Sequence, residues 1–166
     1  KRIECDYEHI LIEHAERLPP DFIISHCPEI VCIDGVSVED VYEENFNDES
    51  RKEYYEKFST LLQESPLLYN RMKKSFEDAL TMAIKRVEWN YKTAVPMYYP
   101  TKNIGALLLP LMLVTPDRVD VALVVTKEPS GAYQGQTILT LGMAYENSRL
   151  VAKPDSDWLI DPTVYK

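Results

Sequence analysis

Residues 137–162 read TILTLGMAYENSRLVAKPDSDWLIDP, a stretch that joins an apolar strand, one short helix and a polar tail that carries a tryptophan. Residues 133–141 are rich in Thr, Ile, Leu and Tyr and follow the turn signal Ser130-Gly131, which predicts the second arm of a β-hairpin. Beyond this strand the apolar residues recur three or four apart until Pro154. The stretch therefore predicts a strand followed by a helix of about ten residues.

Four strand-like segments separated by short turns precede that helix. Their connections are too short for helical crossovers, so neighbouring strands are predicted to run antiparallel as a meander. The uninterrupted apolar run 121–125 predicts a central strand that is covered on both faces. Pro96 and Pro110 cannot donate to a ladder and each marks an edge or a bulge. The predicted strands are residues 93–99, 107–114, 120–127 and 133–141.

A long helix is predicted before the meander. Ser65 and Pro66 are typical of a cap and a first helical residue, and apolar side chains then recur at helical spacing for about 25 residues, to about Tyr91. Further upstream, the patterns predict a helix over residues 7–17, a short strand over 29–33 and a helix after the cap Asn47. The predicted fold class is α+β: an antiparallel meander of three to four strands packed against a long helix, with a short closing helix and a helical N-terminal part.

Length and composition set the broad class. With 166 residues, 45% of them hydrophobic and 27% charged, the chain is predicted to be a single domain over residues 1–166. The apolar run 104–114 is well short of the roughly 20 residues that span a bilayer, and charges occur throughout residues 1–20, so neither a membrane partner nor a signal peptide is expected. Three cysteines do not suggest a disulfide framework, and Cys32 lies in an apolar run that favours a buried thiol. A cytoplasmic location is expected.

Charge is distributed unevenly along the chain. The net charge is −9, yet residues 71–102 carry seven Lys or Arg against three Asp or Glu. An acidic chain gains little from counterion release, so non-specific coating of DNA is not expected. Several cations lie off the apolar stripe of the long helix, which is typical either of a solvated helix face or of a site for phosphate or an acidic partner. They are Arg71, Lys74, Lys85 and Arg86, with Lys92 and Lys102 after the helix.

The tail holds a pair of carboxylates whose spacing is compatible with a metal site. Asp155 and Asp157 lie two apart on a non-helical segment and could bind Mg²⁺ if water and phosphate completed the coordination shell. The alternative is that Asp155 and Ser156 form an Asx-type turn while Trp158 plugs the edge of the core. No other cofactor is evident from the sequence.

Several ordered strings carry a resemblance to a known family. The strings are WNYKTAVP (89–96), LLLPL (107–111), YQGQTILTL (133–141), AYENSRL (144–150) and KPDSDWL (153–159). They resemble a bacterial family catalogued as domain of unknown function 3825, and the resemblance implies that the chain is the C-terminal portion of a larger domain. Some relatives are joined to small RNA-binding modules, which implies an RNA-linked role by association. The resemblance carries over no catalytic residue.

Three hypotheses for function follow. The preferred one is a module of a larger RNA-associated or stress-response protein that binds a nucleotide, an RNA end or another domain; bases would stack on Tyr98, Tyr99 and Trp158. The second is a metal-dependent enzyme acting on a phosphodiester or nucleotide, with Mg²⁺ at Asp155 and Asp157. The third is a structural scaffold, so whether the chain is an enzyme stays open. The cations predicted to meet phosphate in the first hypothesis are Lys92, Lys102, Arg149 and Lys153.

Overall fold

The computed structural model describes residues 2–100, 102–151 and 157–161. The chain forms two compact units, one of residues 1–6 and 78–166 and the other of residues 7–77. Within the described residues, no helix combines the length and the apolar character that crossing a membrane requires. That residues 1–166 form one domain and the C-terminal portion of a larger one stays a prediction.

Residues 2–6 lie in the first unit, the next regular elements form the second, and the chain returns to the first unit within its longest helix. In chain order the strands are β1 (Ile3–Cys5), β2 (Cys32–Ile33), β3 (Val36–Ser37), β4 (Val95–Tyr99), β5 (Ile104–Leu111), β6 (Val121–Lys127) and β7 (Tyr133–Thr140). The α-helices are α1 (Pro20–His26), α2 (Val38–Tyr42), α3 (Asp48–Glu64), α4 (Pro66–Trp89) and α5 (Leu141–Arg149). The long helix α4 contributes residues to both units.

The first unit is built on a five-stranded sheet in the order β1-β7-β6-β5-β4. Strands β4 to β7 pair antiparallel with their chain neighbours, and Leu109 lies opposite Leu123, which confirms the predicted meander. Strand β5 ends at Leu111, three residues before the predicted end. The reason is Asp120, whose carboxylate accepts the backbone N–H groups of Leu113 and Val114 at 2.8 and 3.0 Å and so draws them out of the ladder.

Strand β1 was not predicted. It pairs in parallel with β7, with Ile3 opposite Tyr133, and makes the sheet mixed. Three residues are too few to show a period, and the partner lies at the far end of the sequence. Gly135 of β7 permits the close approach, because a Cβ there would lie 2.5 Å from Cys5 Sγ.

Helices cover the two faces of the sheet. On one face α5 packs over a core of ten buried residues and begins at Thr140, whose hydroxyl accepts the Met143 N–H at 3.4 Å. On the other face, the part of α4 within the first unit lines an apolar cavity of about 270 Å³ together with Leu107, Leu109 and Val125. These contacts confirm the predicted long helix and short closing helix. The core under α5 is Val95, Met97, Ala106, Leu108, Ala122, Val124, Leu139, Ala144, Tyr145 and Leu159.

The second unit is mainly helical, as predicted, but its first turns differ from the sequence patterns. The segment predicted as a helix over 7–17 contains a π-helical turn at His9–Glu13 and a 3-10 turn at Ala15–Arg17. Pro20 begins α1, because proline is well suited to a first helical turn. Helix α3 begins as predicted, with Asn47 Oδ1 accepting the Ser50 N–H at 3.0 Å.

The strand predicted over 29–33 is wrong in extent. Residues Pro28–Ile30 form a 3-10 turn, and only Cys32–Ile33 are extended, paired with β3 around Asp34 and Gly35. Both turn residues have positive φ, as a two-residue hairpin requires. Because this hairpin is so short, Cys32 is exposed, and the predicted burial of its thiol is wrong.

Candidate functional site

A groove of about 600 Å³ lies at the end of the sheet where β4 begins and β5 ends. Its walls are the last two turns of α4, the turn after that helix, the loop between β5 and β6, and the segment at Asp157 and Trp158. All of these belong to the first unit. The volume lies within the roughly 300–1,000 Å³ of small-molecule sites.

Trp158 forms one wall, and its position is fixed. The indole N–H donates to the backbone oxygen of Thr93 at 2.7 Å, while the half-buried ring packs against the core under α5. The segment is also held where the Tyr145 hydroxyl donates to the Asp161 carboxylate at 3.4 Å. The ring therefore presents an aromatic surface to the groove without freedom to rotate away.

Trp89, which lines the groove from the end of α4, is almost completely exposed. It lies in the last turn of α4, about 200° around the helix from Val87, which faces the sheet. Its side chain is 94% exposed, and its neighbour along the same helix face, Met82, is 54% exposed. Tyr91, in the 3-10 turn that follows, is 78% exposed. Three large apolar side chains thus meet water within ten residues.

Two cations line the groove together with the two tryptophans. The Arg86 guanidinium donates from Nη2 to the backbone oxygen of Pro116 at 2.9 Å, which ties α4 to the loop between β5 and β6. The same loop is braced by Asp120, whose side chain is 3% exposed and pairs with Arg118 at 3.2 Å. Lys85 is exposed and makes no hydrogen bond or ion pair within the described part of the chain. Its ammonium group is therefore available to an anion.

The tail carboxylates are only partly described. Asp157 lines the groove, whereas Asp155 lies outside the described residues. Among residues 2–100, 102–151 and 157–161, no three His, Cys, Asp or Glu side chains come together as metal ligands. A Mg²⁺ site that uses both carboxylates stays a prediction.

The other residues predicted to bind a ligand lie at different places. Lys92 is exposed in the turn beside the groove. Lys102 lies beyond the other end of β5, whose first residue Ile104 is about 20 Å from Pro110 at the rise of an extended strand, and its ammonium donates to Gln136 Oε1 at 2.6 Å. The guanidinium of Arg149 lies over the Tyr145 ring at 5.7 Å. Lys153 falls outside the described residues, so of the predicted ligand-binding set Trp158 lines the groove and Lys92 lies beside it.

Trp89 was not predicted to bind a ligand, and Lys85 and Arg86 were predicted to form either a solvated helix face or a site for phosphate or an acidic partner. All three lie off the apolar stripe of the helix. What the sequence did not reveal is that Trp158, far away along the chain, lines the same groove. The tie between its indole and Thr93 has no local signature.

A second groove, of about 690 Å³, lies in the second unit between the first helical turns and α3. Its charged groups already have partners: Arg51 pairs with Asp48 at 2.7 Å and His14 with Glu16 at 2.8 Å. Because these charges are paired within the wall, this groove has less to offer a ligand than the groove in the first unit.

Comparison with known proteins supplies a family and no activity. No curated protein and no solved structure matches the chain. A family model with the description "Domain of unknown function (DUF3825)" matches residues 1–158, which includes the region before Trp89 as well as the strings after it. Because that match covers nearly the whole sequence, the chain belongs to the family Domain of unknown function (DUF3825).

Proposed function

We propose that the chain is a non-catalytic module that binds unpaired ribonucleotides of an RNA in the groove of the first unit. Bases stack on Trp89 and Trp158, and Lys85 and Arg86 meet the phosphates. The observation that carries the proposal is the exposure of Trp89, which is 94% exposed beside a cation without a partner among the described residues.

The exposed aromatic side chains favour a ligand over a purely structural role. Large apolar groups that meet water together mark binding surfaces more often than single exposed residues do. Every nucleobase has an apolar face that stacks on an indole, and such stacking contributes about 1–3 kcal/mol per base. Trp89 contributes nothing comparable to the core, since almost none of its surface is buried.

Charge favours a single strand over a duplex. The chain has a net charge of −9, so a long duplex laid across it would meet mostly repulsion. The groove, by contrast, is lined by Lys85 and Arg86, with Lys92 exposed nearby. An aromatic groove with a few cations is the arrangement that binds unstacked bases.

The decisive experiment compares Trp89→Ala with the parent chain. Binding of a fluorescein-labelled eight-nucleotide single-stranded RNA is followed by fluorescence anisotropy at low salt. We expect Trp89→Ala to weaken binding by about 1–3 kcal/mol, roughly 5- to 150-fold in Kd, because a stacking surface is lost. Lys85→Ala is expected to weaken binding less and to flatten the salt dependence.

Matched controls use exposed residues of the same type elsewhere. Tyr42→Ala removes an aromatic ring that is 55% exposed in the second unit, and Lys127→Ala removes an exposed lysine at the other end of the sheet. Both should bind RNA as the parent does. Equal binding by Trp89→Ala and the parent would contradict the proposal. If the parent binds no RNA at low salt, the proposal is also wrong, and the exposed aromatic residues would instead indicate a surface for a protein partner.

A further inference from the structure

One carboxylate lines the groove beside the cations and the tryptophans. Asp157 is exposed and makes no hydrogen bond or ion pair with any residue that the structure describes. A carboxylate repels phosphate, so its presence in a groove for RNA calls for contact with another part of the nucleotide.

The hydrogen-bonding character of the Asp157 carboxylate limits which part of a nucleotide it can bind. An ionised carboxylate only accepts hydrogen bonds and has two oxygens to do so. The 2′,3′-cis-diol of a terminal ribose offers two adjacent hydroxyl donors, whereas a ribose inside an RNA strand offers one. Acidic side chains bind ribose hydroxyls in the same manner in dinucleotide-binding folds.

Base edges are the competing partners of the carboxylate. Adenine and cytosine each present a donor next to an acceptor, so reading them requires a protein donor as well as an acceptor. Asn90 Oδ1 accepts the Lys92 N–H at 3.1 Å, but the Nδ2 group of Asn90 and the Lys85 ammonium remain as donors. Guanine, with two adjacent donors, is the one base that the carboxylate could read alone. Only the diol is shared by the 3′ ends of all RNAs and needs no further protein donor.

Resting on the proposed function, we infer that Asp157 accepts hydrogen bonds from the cis-diol of a 3′-terminal ribose, so that the groove takes the 3′ end of an RNA. The terminal base stacks on Trp158, which follows Asp157 in the chain, and the phosphate on its 5′ side lies toward Lys85. A free ribonucleotide carries the same diol and would occupy the same place.

The first test changes the RNA and leaves the protein intact. Two eight-nucleotide RNAs, labelled at the 5′ end, differ only in whether the last nucleotide is an ordinary ribonucleotide or a 2′,3′-dideoxynucleotide. We expect the second to bind roughly tenfold more weakly, because hydrogen bonds to a charged acceptor are lost. Competition by adenosine monophosphate separates the two sources of the diol: effective competition identifies a free nucleotide, and weak competition identifies an RNA end.

The second test changes the protein. Asp157→Ala should bind both RNAs equally. Glu88→Ala removes an exposed carboxylate at the end of α4 that does not line the groove, so it should keep the parent's preference for the ordinary 3′ end. Melting temperatures of both variants check that the fold is intact. Trp89→Ala should raise the Kd for both RNAs by the same factor, because stacking on the base does not depend on the sugar.

Two results would overturn the inference. One is equal binding of both RNAs by the parent; if Trp89→Ala still weakens binding in that case, the proposed function stands alone. The other is a preference that follows a terminal guanine rather than the terminal sugar, which would assign Asp157 to a base. If the parent binds neither RNA, the inference falls together with the proposed function.

Discussion

Cys27 and Cys32 lie five positions apart and have opposite environments. Cys27 is completely buried at the end of α1, and Cys32 is exposed in the β2–β3 hairpin. The pKa of the Cys27 thiol is raised from 9.0 to about 12, chiefly by burial and then by the nearby Glu29 carboxylate, while Arg71 acts in the opposite direction. Since the thiolate is the reactive form, Cys27 is inert at neutral pH.

The raised pKa of Cys27 predicts how the free energy of unfolding changes with pH above 9.0. A thiol whose pKa is raised on folding contributes stability that is present below pH 9.0 and is lost as the pH rises towards 12, because the unfolded chain releases its proton first. We expect Cys27→Ala to lose less of its stability than the parent between these pH values. The measurement is the midpoint of urea unfolding at a series of pH values.

Cys32→Ala is the matched control, because it makes the same substitution at an exposed cysteine. A profile for Cys27→Ala parallel to that of the parent would show that the buried thiol does not titrate as its environment requires. The apolar sequence around Cys32 suggested burial, and only the two-residue length of its strand, which no local pattern reveals, exposes it.

Among the elements, the pair β1 and β7 is the most demanding in its packing. Gly135 leaves room where the two strands approach, since a Cβ at this position would lie 2.5 Å from Cys5 Sγ and 3.3 Å from the methyl groups of Leu123. We expect Gly135→Ala to destabilise the fold by about 1–3 kcal/mol, because overpacking forces side chains or strands apart. Thermal unfolding measures the effect.

Gly135→Ala and Cys5→Ala can be combined in a double-mutant cycle. Cys5→Ala removes the sulfur atom that the new methyl group would meet, so the double variant should be less destabilised than the sum of the single ones. Strict additivity would mean that Leu123, and not Cys5, limits the space. Gly105, whose added Cβ would meet nothing within 4 Å, provides the control substitution to Ala.

The elements also show what a sequence can and cannot predict. The meander followed from residues 93–141 because short turns permit only antiparallel neighbours, and α4 followed from a stripe sustained over many turns. Strand β1 did not, because a parallel pairing across the chain leaves no trace in three residues. The groove was partly predicted: Trp158, which lines it, and Lys92, which lies beside it, were named from the sequence. That Trp89 and Trp158 line one groove is visible only in the structure.

At the scale of the whole chain, the charge balance limits how much RNA can bind. The net charge is −9, and cations that line the groove number two. We expect a four-nucleotide RNA to bind within about threefold of a twelve-nucleotide RNA, because phosphates beyond the groove gain no counterion release. For the same reason, the slope of log K against log salt should be no steeper than about −2.

Anisotropy titrations over a series of RNA lengths and salt concentrations test both statements. Lys85→Ala should reduce the slope by about 0.7, the contribution of one phosphate contact in a single strand. An affinity that climbs steadily with RNA length would instead point to a longer binding path across the surface.

The parallel pairing of β1 with β7 has a consequence for synthesis on the ribosome. Ile3 emerges long before Tyr133, its partner, so β1 waits on the order of ten seconds at ordinary rates of translation before it can pair. In that interval the charges of Lys1, Arg2, Glu4 and Asp6 make the nascent segment a poor seed for aggregation. Among the five strands of this sheet, the edge strand β1 is therefore made first, and it pairs only when β7, the last of them, has been made.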